Sequence, residues 1–245
     1  MEKGRLSGRI ALITGASRGI GQAVAEHYAK EGAELILVAR TIGGLEETDD
    51  SIRKISGRNT VLVPMDLTDL NAIDRLGQAI YDRFKRLDIL VCNAGQFHSL
   101  APLGHIEPKH WDEEMAVNLT APWRLIRSLD PLLRQSPAGR GIFVTTGATL
   151  TPRAYWGSYA VSKMAMEMLV KIYAEEVLLT QVKVNLLDPG RVRTSMRAKA
   201  YPGENPLSVP DPSDVTEAFV RLAEAGFLEN GQRFHVNDFQ PHLTT

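Results

Sequence analysis

A tyrosine and a lysine four residues apart, Tyr159 and Lys163, have the types and spacing needed for acid–base chemistry. They lie in the stretch SYAVSK, at the start of a predicted helix. Helical side chains at positions i and i+4 share one face, so the phenol and the ammonium project into the same space. A free tyrosine, with a pKa of about 10, is a poor proton donor or acceptor at neutral pH. We expect the nearby ammonium to lower that pKa, so that the phenol can exchange a proton with a carbonyl or alcohol oxygen. A purely structural pair is the alternative.

A second predicted helix contains a proline that removes a hydrogen bond. Pro122 lies four residues after Asn118 in the stretch AVNLTAPWRL. Because proline has no N–H, the helical bond that it would give to the Asn118 carbonyl is missing. That carbonyl is therefore free to bind another group. A kinked packing helix with no further role is the alternative.

Short apolar strands alternate with longer helical patterns, and these elements must position the polar residues. The predicted strands cover residues 9–14, 34–39, 60–65, 88–92, 141–146, 182–187 and 233–236. The predicted helices lie near residues 19–31, 43–56, 69–86, 108–134 and 156–180. Continuous apolar strands are typical of a parallel sheet with helices on both faces. The repeated β–α alternation favours an open, doubly wound α/β sheet, in which ligands bind beyond the carboxyl ends of the strands.

The composition favours one domain, covering residues 1–245, in a reducing compartment. The 28 basic residues nearly balance the 29 acidic residues, so no nucleic-acid partner is expected. The single cysteine, Cys92, cannot form an internal disulfide. No apolar run suits a signal peptide or a membrane span, so we expect a cytoplasmic protein. The six histidines include no pair at metal-ligand spacing on one helix, and no metal site is predicted.

A glycine-rich turn, TGASRGIG (14–21), follows the first predicted strand and begins a helix. Gly15, Gly19 and Gly21 let the chain turn tightly and let the backbone approach a pyrophosphate. The free N–H groups at the start of the helix then face that anion. Its position between a strand and a helix predicts a dinucleotide site. A tight turn that binds nothing is the alternative.

Four motifs together resemble a known family. TGASRGIG, CNAG (92–95), SYAVSK (158–163) and DPGRVRT (188–194) occur in this order. With them the chain resembles the single-domain branch of the short-chain dehydrogenase/reductase family, from about residue 7 to about residue 237. The resemblance implies a Rossmann fold with a mostly seven-stranded parallel sheet. It also implies an oxidoreductase that transfers hydride between a nicotinamide dinucleotide and an aldehyde, ketone, keto-thioester or alcohol.

The end of the second predicted strand bears on which dinucleotide is used. A site for NAD needs a carboxylate there, whereas a site for NADP needs a cation. This strand ends ILVAR, with Ala39 where NAD-using members of the family usually carry aspartate. Arg40 follows, and Arg18 occupies the second position at which NADP-using members carry a basic residue. We therefore predict NADP(H); two solvated loop arginines are the alternative.

The resemblance implies further cofactor contacts. Asp66 matches the acid that contacts adenine, and Thr194 matches the residue that often hydrogen-bonds the carboxamide. The Asn-Ala-Gly motif braces the sheet and lines the adenosine ribose, although Cys92 replaces its commoner first asparagine. Asp188 replaces the asparagine that is usual before Pro-Gly. The predicted cofactor-binding residues are Gly15, Ser17, Arg18, Gly19, Ile20, Gly21, Arg40, Asp66, Leu67, Asn93, Ala94, Gly95, Tyr159, Lys163, Pro189, Gly190, Val192 and Thr194.

The catalytic residues implied by the resemblance are Asn118, Thr146, Tyr159 and Lys163. In the family the tyrosine is the general acid/base, the lysine holds ribose hydroxyls, and the asparagine carbonyl binds a water that links the lysine to solvent. The family's serine, thirteen residues before the tyrosine, stabilises the substrate carbonyl by hydrogen bonding. Here that count gives Thr146, which keeps the hydroxyl but has a stiffer χ1. Thr145 and Thr149 are alternatives if the register differs.

The substrate walls are expected in three variable segments, residues 96–108, 153–156 and 195–206, the last within a substrate loop over about 191–214. Their aromatic and polarizable residues are His98, Tyr155, Trp156, Met196 and Tyr201. Three loop arginines, Arg153, Arg193 and Arg197, either meet an acidic substrate or are solvated. The resemblance does not identify the substrate.

Members of the family usually form homodimers or homotetramers by packing the helices near 108–134 and 156–180 against their symmetry mates. The apolar stretch MEMLVKIYAEEVLL (166–179) suits such an interface, although it could equally face its own sheet. Two other functions remain open on this scaffold. One is a reductase of a C=C or imine bond, and the other is a non-catalytic dinucleotide-sensing protein.

Overall fold

Seven parallel strands form one sheet in a computed structural model that describes residues 4–240. The strands are β1 (Ile10–Thr14), β2 (Glu34–Ala39), β3 (Val61–Pro64), β4 (Ile89–Cys92), β5 (Arg140–Val144), β6 (Lys183–Asp188) and β7 (Arg233–His235). The helices are α1 (Gly19–Lys30), α2 (Ile42–Ser56), α3 (Leu70–Phe84), α4 (Pro108–Met115), α5 (Ala121–Arg134), α6 (Gly157–Glu176), α7 (Ser195–Ala200) and α8 (Thr216–Ala223).

The strand order is β3-β2-β1-β4-β5-β6-β7, and every neighbouring pair is parallel. The predicted doubly wound, seven-stranded parallel sheet is therefore confirmed. The chain passes from β1 to β2 on one side and returns to β4 on the other side of β1. Such a reversal opens a crevice beyond the carboxyl ends of β1 and β4, where open α/β sheets bind ligands.

Helices cover both faces of the sheet, because alternate side chains of each strand point to opposite sides. In β1, Ile13 belongs to a core with α1, α2 and α8, whereas Leu12 belongs to a core with α3, α5 and α6. Both side chains are fully buried. A strand that is apolar on both faces is stable only when both faces are covered, which explains the continuous apolar runs in the sequence.

The predicted helix over 108–134 is interrupted at the position that the proline indicated. Residues Ala116–Thr120 form a single π turn between α4 and α5, in which the Ala121 N–H donates to the Ala116 carbonyl. Pro122 lacks the N–H that regular α geometry would use, and this favours the wider turn. The helix predicted over 156–180 ends earlier, at Glu176.

Two short helices were not predicted. The segment 191–214 was expected to be a loop, but it contains α7, whose first turn is capped by the Thr194 hydroxyl accepting from the Arg197 N–H at 3.2 Å. The second, α8, packs its buried Phe219 against α1, and the Tyr28 hydroxyl donates to the Phe219 carbonyl at 2.9 Å. Helices of six and eight residues show too little periodicity to be recognised without these tertiary contacts.

Candidate active site

A cavity of about 330 Å³ lies at the crevice beyond β1 and β4. Its walls include the glycine turn, the ends of β2, β3 and β5, the Asn-Ala-Gly segment, the start of α6 and the Pro-Gly turn. All but one of the predicted cofactor-binding residues line it: Gly15, Ser17, Arg18, Gly19, Ile20, Arg40, Asp66, Leu67, Asn93, Ala94, Gly95, Tyr159, Lys163, Pro189, Gly190, Val192 and Thr194. Thr146 also lies in the wall.

Two predicted site residues, Gly21 and Asn118, lie behind the cavity wall rather than in it. A Cβ on Gly21 would come 2.2 Å from the Gly15 carbonyl oxygen, so only glycine lets the first turn of α1 approach the turn before it. Gly15 itself has a φ of +68°, a conformation that other residues rarely adopt. Gly21 therefore shapes the cradle, whereas Gly15 and Gly19 face the cavity.

The Asn-Ala-Gly segment is tied to the glycine turn through one buried hydroxyl. Thr14 Oγ1 accepts from the Asn93 N–H at 3.0 Å and from the Ala94 N–H at 3.1 Å. The Asn93 amide in turn donates to the Thr14 carbonyl at 3.0 Å. These bonds lock the ends of β1 and β4 together, as the bracing role implied by the resemblance requires.

Two exposed arginines stand where the dinucleotide phosphate was predicted. Within residues 4–240, neither Arg18 nor Arg40 has an ion pair or a side-chain hydrogen bond, and Ala39 beside them is buried. Arg18 also makes no side-chain bond to the first turn of α1, whose N–H groups are left for a ligand. A glycine cradle, a helix start and two cations without acidic partners fit a phosphorylated dinucleotide.

Tyr159 is only 9% exposed, and its ring meets Phe97 edge-on at 5.6 Å between centroids. Burial raises the pKa of its phenol, the Asp188 carboxylate adds to the rise, and a hydrogen bond with Thr146 opposes it. The pKa is thus raised overall, whereas the sequence predicts that Lys163 lowers it. Loss of hydration dominates, and the phenol stays protonated at neutral pH.

Lys163 is 4% exposed, and its Nζ donates to the Val144 carbonyl at 2.9 Å. Burial lowers the pKa of this ammonium to about 8, against opposing effects of Cys92 and Glu167. Because one N–H serves Val144, two donors remain for a ligand.

The three candidate threonines are separated by their hydrogen bonds. The Thr145 hydroxyl donates to the Glu167 carboxylate, and Thr149 Oγ1 lies 2.7 Å from the same oxygen. Thr146 instead accepts from the Ala148 N–H at 3.2 Å, lines the same cavity as Tyr159 and opposes the rise in the pKa of its phenol. Thr146 is therefore the hydroxyl beside the phenol.

The Asn118 side chain makes contacts that the sequence did not predict. Its Oδ1 accepts from the Gln96 N–H at 2.7 Å, and its Nδ2 donates to the Gln96 carbonyl at 2.9 Å and to Ser162 Oγ at 3.0 Å. The fully buried amide thus holds the segment after Asn-Ala-Gly against α6. The implied role of Asn118 concerns its carbonyl, whereas the side chain acts as a brace.

The substrate side of the cavity is lined by a small apolar cluster. Phe97, which the sequence did not single out, stacks on Trp156 at 5.5 Å between ring centroids, and Trp156 lies 6.0 Å from Tyr201. Met196 and Ala200 of α7 complete the cluster. Of the other predicted wall residues, His98 pairs with Glu113 and Tyr155 is exposed, and neither lines the cavity. Phe97 follows the Asn-Ala-Gly motif closely, which was the one signal that could have found it.

Two of the three loop arginines are already paired. Arg197 binds Glu204 through two nitrogens, at 2.7 and 2.6 Å, and Arg193 binds Asp211 at 2.5 Å. Among residues 4–240 there is no cluster of three or more histidine, cysteine, aspartate or glutamate residues that could hold a metal ion. No helix in this part of the chain is long and apolar enough to cross a membrane.

The fold and cavity define a dinucleotide-binding α/β protein of the doubly wound class, and comparisons with known proteins place it more closely. Residues 9–205 match the short chain dehydrogenase family model. The chain is 36% identical to the uncharacterized oxidoreductase YciK of Escherichia coli over 219 residues, 89% of this chain and 86% of YciK. It is 33% identical to the 3-oxoacyl-[acyl-carrier-protein] reductase FabG of Vibrio cholerae, covering 95% of this chain and 97% of that protein.

A solved structure of a short chain dehydrogenase from Shigella flexneri, complexed with NADP, superposes with a TM-score of 0.93 at 33% identity. The match covers 96% of this chain and all of the other. The chain therefore belongs to the short-chain dehydrogenase/reductase family and is an oxidoreductase by membership. The NADP in this relative agrees with the cofactor predicted from Arg18 and Arg40.

The depressed pKa of Lys163 predicts how stability depends on pH. Between the folded-state value of about 8 and the unfolded value of about 10.4, the unfolded chain holds a proton that the folded chain has released. Raising the pH through this window therefore favours folding. Relative to Lys163→Met, the wild-type free energy of unfolding should rise by about 1 kcal/mol per pH unit above pH 8.

Urea unfolding from pH 7 to pH 10 measures this difference. Lys171→Met, at an exposed position of the same helix, is the matched control and should follow the wild type. Parallel pH dependences for the wild type and Lys163→Met would show that Lys163 titrates normally.

Proposed function

We propose that this protein is an NADPH-dependent carbonyl reductase, reversible as an alcohol dehydrogenase. The observation that carries the proposal is that Thr146, Tyr159 and Lys163 line the same cavity as Arg18 and Arg40. Thr146 follows β5 and Arg40 follows β2, and β1 and β4 lie between these two strands, so the two groups stand at opposite ends of the cavity. A hydroxyl donor, a protonated phenol and a buried ammonium are the groups that reduction of a carbonyl requires.

Each catalytic side chain has a separate task in the proposed reaction. The reduced dinucleotide, when bound, supplies hydride to the carbonyl carbon. The Thr146 hydroxyl donates a hydrogen bond to the carbonyl oxygen, and Tyr159 transfers its phenolic proton to that oxygen, which yields the alcohol. Lys163, charged below its pKa of about 8, stabilises the phenolate left behind. Its two remaining N–H donors suit ribose hydroxyls.

The raised pKa of Tyr159 keeps the phenol in the form that can donate a proton to a carbonyl oxygen. A general acid must hold its proton until hydride arrives, and burial keeps the phenol protonated well above neutral pH. The apolar cluster of Phe97, Trp156 and Tyr201 suits a carbonyl that carries an apolar substituent. The FabG relative, named for a keto-thioester, supports including that class.

Replacing the phenol tests catalysis. Tyr159→Phe removes the acid while keeping the buried ring, so kcat should fall by at least about 100-fold. The measurement is NADPH oxidation at 340 nm across aldehydes, ketones, quinones, keto-thioesters, enones and imines. Tyr81→Phe, at an exposed site on α3, is the matched control.

The outcomes separate the competing functions. Full activity in Tyr159→Phe would refute the role of the phenol. Turnover of only enones or imines would favour the C=C or imine reductase. Tight NADPH binding without turnover of any of these compounds would favour the dinucleotide sensor.

Replacing the two arginines tests the choice of cofactor. Arg18→Ala and Arg40→Ala should each weaken NADPH binding by about 10- to 100-fold, because each loses a charge-assisted hydrogen bond to the 2′-phosphate. NADH binding should change by less than about twofold, since it lacks that phosphate. Fluorescence titration of both cofactors measures the ratio. Arg75→Ala, on the exposed side of α3, is the control, and equal losses for NADPH and NADH would contradict the assignment.

We further propose that the protein assembles as a homodimer or homotetramer through α6 and α5. Within the stretch 166–179, Met166 and Val170 are buried against the sheet, but Met168 and Ile172 are about half exposed. An apolar stripe with helical spacing that is left open to solvent indicates an interface. Its members are Val161, Met164, Met168 and Ile172, with Trp123 of α5 also exposed.

The mass in solution tests this assembly. Light scattering should give two or four times the chain mass of 27.0 kDa. Met168→Lys places a charge in the stripe and should shift the mass toward one chain. A monomeric wild-type protein would refute the assembly.

A further inference from the structure

Three charged side chains form a network beneath the proposed catalytic residues. Asp188 ends β6 and Glu167 lies in α6, and both carboxylates are buried. Arg233 of β7 lies between them: its Nη2 is 2.9 Å from Asp188 Oδ2 and its Nε is 3.4 Å from Glu167 Oε1. One guanidinium therefore serves two carboxylates from two different elements.

The same guanidinium also reaches the backbone of the proposed carbonyl-binding residue. Arg233 Nη2 donates to the Thr146 carbonyl at 3.0 Å. Glu167, on the far side, accepts from the hydroxyl of Thr145 and lies 2.7 Å from that of Thr149. The main chain of Thr146 and a residue on either side of it are thus held by one buried cluster.

Asp188 extends the network to another wall of the cavity. Its Oδ1 accepts from the Gly190 N–H at 3.0 Å, which fixes the Pro-Gly turn. The residue replaces an asparagine that is usual before Pro-Gly in the family. The carboxylate at this position is explained by Arg233, which balances its negative charge and hydrogen-bonds its second oxygen, Oδ2. The pair joins the last residue of β6 to the first residue of β7.

A buried charge without a partner is costly, so these three groups depend on one another. Removing the guanidinium would leave two buried carboxylates with only hydroxyl and amide donors. Lysine keeps the positive charge but has a single ammonium nitrogen, whereas arginine has several nitrogens fixed in one plane. That single nitrogen cannot contact Asp188, Glu167 and the Thr146 carbonyl at the same time.

We propose that Arg233 is a positioning residue: by joining Asp188 and Glu167 it holds the Thr146 main chain so that the Thr146 hydroxyl faces the phenol of Tyr159. The proposal rests on the proposed carbonyl reduction. Arg233 itself is not in the wall of the cofactor cavity, so its effect passes through the Thr146 main chain, to which it donates directly. Displacement of a hydrogen-bond donor by about 1 Å can cost about 100-fold in rate.

Arg233→Lys tests the proposal by separating turnover from cofactor binding. The kcat should fall by at least about tenfold, whereas the Kd for NADPH should stay within about twofold, because Arg18 and Arg40 are untouched. The substrate is the panel compound that the wild-type protein reduces fastest. Arg221→Lys, at an exposed ion pair on α8, is the matched control and should leave both values unchanged.

A second measurement does not depend on turnover. Hydrogen exchange of the amides of residues 146–150 in Arg233→Lys, without cofactor or substrate, should be faster than in the wild type, and exchange in α1 should be unchanged. Asp188→Asn keeps an oxygen for the Gly190 N–H but loses the ion pair, and it should show a smaller effect in the same direction. This variant carries the test if Arg233→Lys does not fold.

The results distinguish failure of this proposal from failure of the proposed function. A kcat within twofold of wild type, or unchanged exchange at 146–150, would overturn the positioning role. Parallel losses of kcat and NADPH affinity would also overturn it, because they would indicate general unfolding. Absence of wild-type turnover would refute the carbonyl reductase. The hydrogen-exchange result would then decide by itself whether Arg233 holds the Thr146 main chain.

Discussion

The structure depends on one constraint: charged side chains at the carboxyl ends of the strands are buried, and each needs a partner. Both faces of the sheet are buried, so polar chemistry is confined to the carboxyl ends of the strands. There Lys163, Glu167 and Asp188 are all buried. An unpaired charge in that position would be strongly unfavourable. Each group therefore has a specific partner: the Val144 carbonyl for Lys163, and the shared guanidinium of Arg233 for the two carboxylates.

The same desolvation sets the protonation states on which the proposed chemistry rests. It raises the pKa of the Tyr159 phenol and lowers that of the Lys163 ammonium. A protonated phenol beside a lysine with a pKa of about 8 forms a site suited to giving a proton to a carbonyl oxygen. The lysine is held in this state at some cost in stability. Function and folding therefore oppose each other at one side chain.

The charged groups at the two ends of the cavity differ in their burial and in their partners. At the substrate end the charges are buried and paired, and the walls are the apolar Phe97, Trp156 and Tyr201. At the cofactor end Arg18 and Arg40 are exposed and have no acidic partner within residues 4–240. Exposed cations keep their hydration and cost little until a phosphate binds. This difference suits a ligand whose charge lies at one end and whose reacting group lies at the other.

The sequence by itself determined the positions of the seven strands, the resemblance to the family and most of the site. Apolar runs, glycine spacing and the Tyr159–Lys163 pair are local patterns, and such patterns can be recognised in the sequence before the fold is known. The apolar runs predicted all seven strands, the family resemblance implied most of the cofactor-binding residues that line the cavity, and the proline after Asn118 marked the interruption of its helix. The comparisons confirmed the family, whereas the catalytic roles of these residues remain proposals.

Only the tertiary structure decided which threonine faces the phenol, because Thr145, Thr146 and Thr149 differ in their partners and not in their chemistry. It also revealed α7 and α8, which are too short to be recognised before they pack. The direction in which the Tyr159 pKa shifts depends on burial of the phenol, and residue spacing in the sequence does not indicate burial. Arg233 lies 87 residues beyond Thr146 in the chain, and the parallel pairing of β5, β6 and β7 brings the two together.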